Sequence, residues 1–337
     1  MKDPVKSSGS NAPEISVVVP VRDEEDSIRA LLEALLTQTL RPKEIVITDG
    51  GSVDATREII EEFIQKGEPV RLIRERNSLP GRARNVAVQH AGCDWIAFID
   101  AGNKPVPEWL ANLAQRVQDD PTVDVVYGTY APVIDSFFKE CAAIAYVPAP
   151  FESEGGLVRP RSIVSALMRR KVWEFVGGFP EDLRSAEDLI FMRRIEQANC
   201  KIVRTSAAIV FWNIQPNLRL TFKRFLEYSR NNIRAGLFAE WQGTIFIYYA
   251  LIAASSLMVL VFGLRGLFGP PVVWLLFMIM RAAKALWRNR KVYPAGLGRN
   301  VARLTLLVPI LSTLDAAAFI GSINWLLGDK FRERIER

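Results

Sequence analysis

The chain has 337 residues, an apolar fraction of 49% and a formal net charge of +6, a size for one large domain or two smaller ones and a composition too apolar for a wholly water-facing protein. The charge argues against a nucleic-acid partner: 12 Lys and Arg stand against 4 Asp and Glu after residue 240, while the preceding part is nearly balanced at 31 against 33, and a nucleic-acid binder would carry its basic surface on the globular part. Three widely spaced cysteines, Cys93, Cys141 and Cys200, fit neither a disulfide framework nor a zinc site and read as reduced core residues.

Residues 1–13 are polar and rich in Ser, Lys and Pro, so they are expected to form a flexible tail rather than a signal peptide, which leaves the globular part in the cytoplasm. Residues 15–20 form a β-branched run, residues 22–26 a polar turn, and Ile28, Leu31, Leu32, Leu35 and Leu36 recur at helical spacing. Residues 44–48 predict a second strand ending at Asp49-Gly50-Gly51-Ser52, after which Ser52, Asp54 and Thr56 offer caps to a helix through Ile60 and Phe63. Residues 70–73 predict a third strand, 81–90 a helix, and 95–99 a fourth strand that stops at Asp100-Ala101-Gly102-Asn103-Lys104-Pro105. The alternation predicts an α/β fold with a mostly parallel sheet covered on both faces. Such sheets bind ligands beyond the carboxyl ends of their strands, and carboxylates stand at three of those ends: Asp23 with Glu24, Asp49, and Asp100. Asp also favours turns for purely structural reasons, but three at successive strand ends point to a site.

Farther along, residues 125–130 read as a strand, and residues 162–176 as a short strand and helix closing on Gly177-Gly178-Phe179-Pro180. Ser185-Ala186-Glu187-Asp188 then precedes a helix over residues 189–197. Residues 218–242 form a basic amphipathic pattern, with Leu218, Phe222, Phe225, Ile233, Leu237 and Trp241 on one side and Lys223, Arg224, Arg230 and Arg234 elsewhere. This suits a helix lying on a bilayer surface, the alternative being a helix that packs between domains. Residues 245–264, 272–280 and 304–327 are apolar runs, the last interrupted by one acid, Asp315, and seven Lys or Arg without an acid lie over residues 281–303. Apolar length and a positive-inside bias together predict a transmembrane region over residues 243–330 with about three helices and a polar tail at 331–337. A break at residues 266–271 also permits a re-entrant segment. The expected protein is a multi-pass integral protein of the cell membrane.

Five motifs in this order resemble the family 2 glycosyltransferases, a similarity that runs from about Ile15 to about Arg234 and places the domain itself at residues 14–217: Val19-Pro20-Val21-Arg22-Asp23-Glu24, Asp49-Gly50-Gly51-Ser52-Val53-Asp54-Ala55-Thr56, Gly81-Arg82-Ala83-Arg84-Asn85, Asp100-Ala101-Gly102, and Gly177-Gly178-Phe179 followed by Glu187-Asp188. The resemblance implies a GT-A fold, a Rossmann-like α/β domain that binds a nucleotide sugar, here a UDP- or GDP-sugar. It implies donor binding by Pro20, Arg22, Asp23, Glu24, Asp49, Gly50 and Ser52 at the nucleoside end. At the diphosphate end it implies Gly81, Arg82, Arg84 and Asn85, with Asp100, Ala101 and Gly102 at the metal motif. Asp188, with Glu187 beside it, is implied as the base that takes the acceptor proton during inverting transfer, and an adjacent acid disfavours ionisation of its neighbour.

Two departures from the family pattern matter. The family's Asp-x-Asp supplies a second carboxylate that holds Mg²⁺ or Mn²⁺, and Gly102 cannot. Asp100 alone, Asp100 with Asn103, or the ammonium of Lys104 in place of the ion are the alternatives, so weakened dependence on the divalent cation is expected. The Gln-x-x-Arg-Trp segment of processive synthases is absent, so transfer of single sugars is expected. Trp212 stands where many relatives have a histidine, and the chain's one histidine, His90, falls in a helical pattern. The expected function is transfer of a sugar to a lipid-linked or glycolipid acceptor at the membrane, in cell-envelope or exopolysaccharide assembly; the alternative is a catalytically degenerate, nucleotide-sugar-binding scaffold.

Overall fold

β1 (Ile15–Val21), α1 (Ile28–Leu36), β2 (Glu44–Asp49), α2 (Thr56–Gln65), β3 (Val70–Arg74), α3 (Pro80–His90) and β4 (Trp95–Phe98) alternate as the apolar periodicity predicts. The structure is a computed structural model that describes residues 12–261 and 269–329. Most of the tail predicted at residues 1–13, the first half of the break at 266–271 and the tail at 331–337 lie outside the described residues. After β4 come β5 (Asn103–Pro105), α4 (Trp109–Asp119), β6 (Val125–Pro132), α5 (Phe137–Tyr146), β7 (Phe151–Ser153), β8 (Gly156–Val158), β9 (Ala166–Arg169), α6 (Arg170–Phe175), α7 (Glu187–Gln197) and β10 (Ile202–Trp212). Four helices follow: α8 (Leu218–Arg234), α9 (Thr244–Val261), α10 (Gly269–Asn289) and α11 (Leu297–Asn324).

The residues fall into two compact units, one built from the chain up to residue 131 with 150–182 and 187–212, the other from 132–149, 183–186 and the chain from 213 onward. The first unit is an α/β sheet in the order β3-β2-β1-β4-β9-β6-β10-β5. β1 pairs in parallel with β2 and β4, and β2 with β3, whereas β9 runs antiparallel to β4 and β6, and β5 to β10. The sheet is therefore mixed rather than mostly parallel throughout. Successive side chains of a strand point to opposite faces. Val17, Val19, Ile45 and Ile47 thus pack with Leu31, Leu32 and Leu35 of α1 and Trp109, Leu110 and Leu113 of α4. Val18, Val46, Ile96 and Phe98 pack with Ala87 and Val88 of α3 and Phe191, Met192 and Ile195 of α7 on the other face.

Several elements escaped the sequence reading. α4 carries a helical stripe of Trp109, Leu110, Leu113, Ala114 and Val117 that is fully buried. β10 is an 11-residue strand whose first half is broken by Arg204, Thr205 and Ser206, with an apolar run left over residues 207–212, and β5 is too short for periodicity to mark. α5 groups with the C-terminal helices although it lies within residues 14–217.

In the second unit, α8 ends at Arg234 rather than reaching 242, because Gly236 takes a left-handed φ of 74° and a π-helical turn occupies Ala239–Gly243. α5 is fastened by its buried Glu140, which accepts Arg303 Nε at 2.7 Å and Arg299 Nε at 3.1 Å, with further bonds from the Nη2 atoms of both arginines. Asp315 of α11 is buried among helices and accepts Tyr249 Oη of α9 and Arg281 Nη2 of α10, each at 3.0 Å. Among the described residues one helical stretch, Leu297–Gly328, is long and apolar enough by length and composition to cross a membrane. The three predicted spans thus correspond to three helices, one of which meets that criterion.

Candidate active site

β2, β1 and β4 are neighbours in the sheet and parallel, so the loops after them meet at one edge and bring Asp23, Asp49 and Asp100 together there. Asp49 is buried, and its Oδ1 accepts Ser52 N at 2.9 Å and Ser52 Oγ at 2.6 Å, a turn closed by its own side chain. The two loops are then laced to each other. Asp23 N donates to Ser52 Oγ at 3.0 Å, Val53 N to Asp23 Oδ1 at 2.9 Å, and Glu24 N to Thr56 Oγ1 at 2.8 Å. Glu25 N donates to Asp54 Oδ2 at 3.1 Å and Ala55 N to Glu25 Oε2 at 2.9 Å. Asp23 holds a left-handed φ of 55° in this lacing, and an Asp tolerates that better than most residues. Ser52 therefore supports the loop, while among the described residues Asp49 Oδ2 keeps only a distant partner, Arg57 Nε at 3.9 Å. Arg22 is exposed with Asp23 at 3.7 Å, and Gly50 donates its N–H to Val21 O at 2.8 Å.

α3 opens on Pro80, whose missing N–H costs nothing in a first turn. A Cβ on Gly81 would lie 1.9 Å from the carbonyl oxygen of Pro180, so glycine is what lets the helix start press against the loop before α7. Asn85 fixes that loop. Its Nδ2 donates to Phe179 O at 2.9 Å and Glu181 Oε1 at 2.8 Å, and its Oδ1 accepts Phe179 N and Trp173 Nε1, both at 2.9 Å. Every hydrogen-bonding position of this buried amide is used by protein. Gly178, at φ 67°, lies where a Cβ would come within 2.8 Å of Asn85 Oδ1. Arg82 is half-exposed between Glu75 at 3.1 Å and Glu181 at 3.2 Å.

Arg84 is the hub. Its buried guanidinium donates from Nη2 to Asp100 Oδ1 at 2.7 Å and from Nη1 to Glu187 Oε1 at 2.6 Å, and it lies 5.5 Å over the ring of Phe179, which stacks on Phe191. One cation thus ties the end of β4 to the start of α7. Burial works against its charge, but Asp100, Glu187 and Asp188 outweigh that and hold its pKa above the ordinary value. Three acids share one base, and the imbalance falls on Asp188: burial first, then the Glu187 charge, push its carboxyl up to about 7. Asp188 Oδ1 accepts the N–H of Leu189 at 2.9 Å, so the residue belongs to the first turn of α7 as well.

Beyond Asp100, Ala101 is buried and Gly102 exposed. Asn103 donates its N–H to Asp100 O at 3.1 Å and pairs with Trp212 across β5 and β10, while its buried Oδ1 has no partner among the described residues. Among those residues no three His, Cys, Asp or Glu side chains cluster as a metal cage. What is present, one carboxylate with an oxygen not taken by Arg84 and a neutral orphaned oxygen nearby, fits a hard cation held largely by a diphosphate, as Mg²⁺ often is.

Residues 16–175 match Glycosyl transferase family 2. The chain carries a family 2 glycosyltransferase domain. Glycosyltransferase AglE of Haloferax volcanii is 27% identical over 233 residues, 64% of this chain and 72% of that protein. Uncharacterized glycosyltransferase EpsJ of Bacillus subtilis is 26% identical over 195 residues, 53% of this chain and 55% of that one. The chain spans between 34% and 55% of the length of the first two curated relatives it matches. The mannosyltransferase PcManGT from Pyrobaculum calidifontis, solved in complex with GDP-Man and Mn²⁺, is similar at a TM-score of 0.55 and 19% identity, over 94% of this chain and 88% of that one, which establishes a GT-A-like α/β fold. Within the glycosyltransferase domain the sequence did not disclose the partners of Arg82 and Asn85: Glu75 and Glu181 bind Arg82, and Glu181 and Trp173 bind Asn85, and nothing in their local sequence marks them.

Proposed function

We propose that this chain is an inverting glycosyltransferase that moves a single sugar from a nucleotide-sugar donor to a hydroxyl or phosphate oxygen of a membrane-associated acceptor. The observation that carries the proposal is the Arg84 bridge between Asp100 and Glu187, which leaves Asp188 beside a shared cation with its carboxyl raised to about 7. A general base works best with a pKa near the working pH. In the reaction Asp188 takes the proton of the acceptor hydroxyl, or of the singly ionised form of an acceptor phosphate monoester, the acceptor oxygen bonds to the anomeric carbon from the face opposite the diphosphate, and the bond from that carbon to the phosphate oxygen breaks. Arg84 and Glu187 position the base.

The laced loops of Asp23, Glu24, Asp49 and Ser52, with Pro20, Arg22 and Gly50, take the nucleoside; Asp49 Oδ2 is an acceptor for a ring N–H. Arg82, at the α3 start with Gly81, faces the diphosphate, and Asn85 holds the opposing loop. Mg²⁺ or Mn²⁺, when bound, would neutralise charge on the leaving diphosphate, held by Asp100 and within reach of Asn103. PcManGT with its GDP-Man and Mn²⁺ supports this class of donor.

Membrane attachment rests on the C-terminal helices. Ile247, Leu251, Val272, Leu276, Ile320 and Ile323 are exposed and apolar, a surface suited to lipid rather than water. α11 is the spanning candidate, α9 and α10 accompany it in the membrane, and the catalytic unit faces the cytoplasm. Purified protein supplied with a panel of UDP- and GDP-sugars and a lipid extract should form a glycosylated lipid. Asp188→Asn should slow that reaction by about 10²- to 10⁴-fold, and undiminished product from the variant would sink the assignment.

A further inference from the structure

α8 and α11 pack against each other. At the contact Ser229 Oγ donates to Ala318 O at 2.9 Å, and a Cβ on Gly321 would lie 2.6 Å from that of Ser229. Toward the start of α8 an open groove of about 730 Å³ lies between Leu218, Phe222 and Leu226 on α8 and Ala316 on α11, a volume suited to one small ligand. Ser312 and Thr313 also line it, but their hydroxyls donate to Val308 O at 2.7 Å and Pro309 O at 2.8 Å of their own helix, so the floor is apolar in effect. At the rim stand Arg219 and Lys223, exposed and one helical turn apart. Neither has a carboxylate partner among the described residues. Arg219 also borders a second depression of about 450 Å³ lined by Phe138 and Leu306, so the apolar path continues past it. An apolar channel for one chain, with two unneutralised cations at its rim, is complementary to an amphiphile with a single anionic head.

We propose that this groove binds the lipid phosphate to which the sugar is transferred, with its chain between α8 and α11 and its phosphate on Arg219 and Lys223. The proposal rests on the membrane-acceptor reading above and gives that acceptor its chemical class and seat. The test is binding of a fluorescent polyprenyl monophosphate to the full chain in phosphatidylcholine nanodiscs, without donor sugar. Removing both charges in Arg219→Gln/Lys223→Gln should weaken binding roughly thirtyfold, while the charge-conserving Arg219→Lys/Lys223→Arg pair should bind like wild type. Filling the groove with Ala316→Phe should weaken binding with the charges in place, and this variant decides the matter if the neutral pair does not fold. Equal binding by wild type and the neutral pair, or by wild type and Ala316→Phe, would overturn the proposal. Displacement of the probe by phosphatidylglycerol as readily as by unlabelled polyprenyl phosphate would overturn it too, by showing a general anionic-lipid surface. Because no donor is present, lipid binding without sugar transfer would count against the proposed function alone, and transfer to lipid indifferent to the groove variants against the groove alone.

Discussion

Two buried arginines, one in each unit, hold glutamates in different ways. Glu140 is saturated: Arg299 and Arg303 both bind it, and α5 is fixed to α11 by that cluster. Arg84 instead divides one guanidinium between Asp100 and Glu187, and both Arg84 Nε and Glu187 Oε2 are buried without a partner among the described residues. Buried polar atoms left unmatched are uncommon and call for a reason. The saturated cluster is a fastening; the unsaturated one keeps acidic groups in excess of cations, and burial first, then that excess, raises Asp188. The lesson is that an ion pair's function is read from what it leaves unpaired.

The comparison can be broken first by removing each arginine. Arg84→Met should lower stability by about 3 kcal/mol or more, since it strands the buried Glu187, and Arg303→Met should cost less, since Arg299 still holds Glu140, as read from chemical unfolding. They should part company in pH dependence. Loss of the Arg84 cation removes an interaction that favours ionised Asp188, so the surviving transferase activity should need higher pH, whereas Arg303→Met should leave the pH dependence where it was. A smaller effect is expected at Gly81, where an alanine methyl would meet the Pro180 carbonyl at 1.9 Å; Gly81→Ala should cost about 1–3 kcal/mol and disturb the loop that leads to α7. The smallest change in stability belongs to Gly102→Asp. An added Cβ there meets nothing nearer than Glu24 Oε2 at 3.9 Å, so the fold should tolerate it, and the second carboxylate should make activity more sensitive to chelator than in wild type. Equal loss in both proteins would count against weakened metal use.

The first unit was legible where periodicity and strand ends carry the information. The first four strands, the first three helices and the carboxylates at Asp23, Asp49 and Asp100 follow from apolar runs that stop at acids. β10 was not read, because Arg204, Thr205 and Ser206 break its first half, although the apolar run over residues 207–212 could have marked its end. At the site, motif order named Arg84 and Asp188, but the sequence pointed Arg84 at a diphosphate and could not disclose that it bridges two acids 16 and 103 positions away. Asn85 was likewise marked for the donor, yet its four hydrogen bonds close a loop over residues 173–181. Contacts of such separation depend on the assembled fold, which local pattern does not encode.

The most direct test of the central claim, that Asp188 is a base tuned by its acidic neighbour, is the pH profile of kcat/KM for sugar transfer in wild type and in Glu187→Gln. An ionised base is required, so the wild-type rate should rise with pH through about 7 and then level. Removing the Glu187 charge should move that rise to lower pH. A wild-type profile flat from weakly acidic to neutral pH, or an inflection that stays put in Glu187→Gln, would contradict the account.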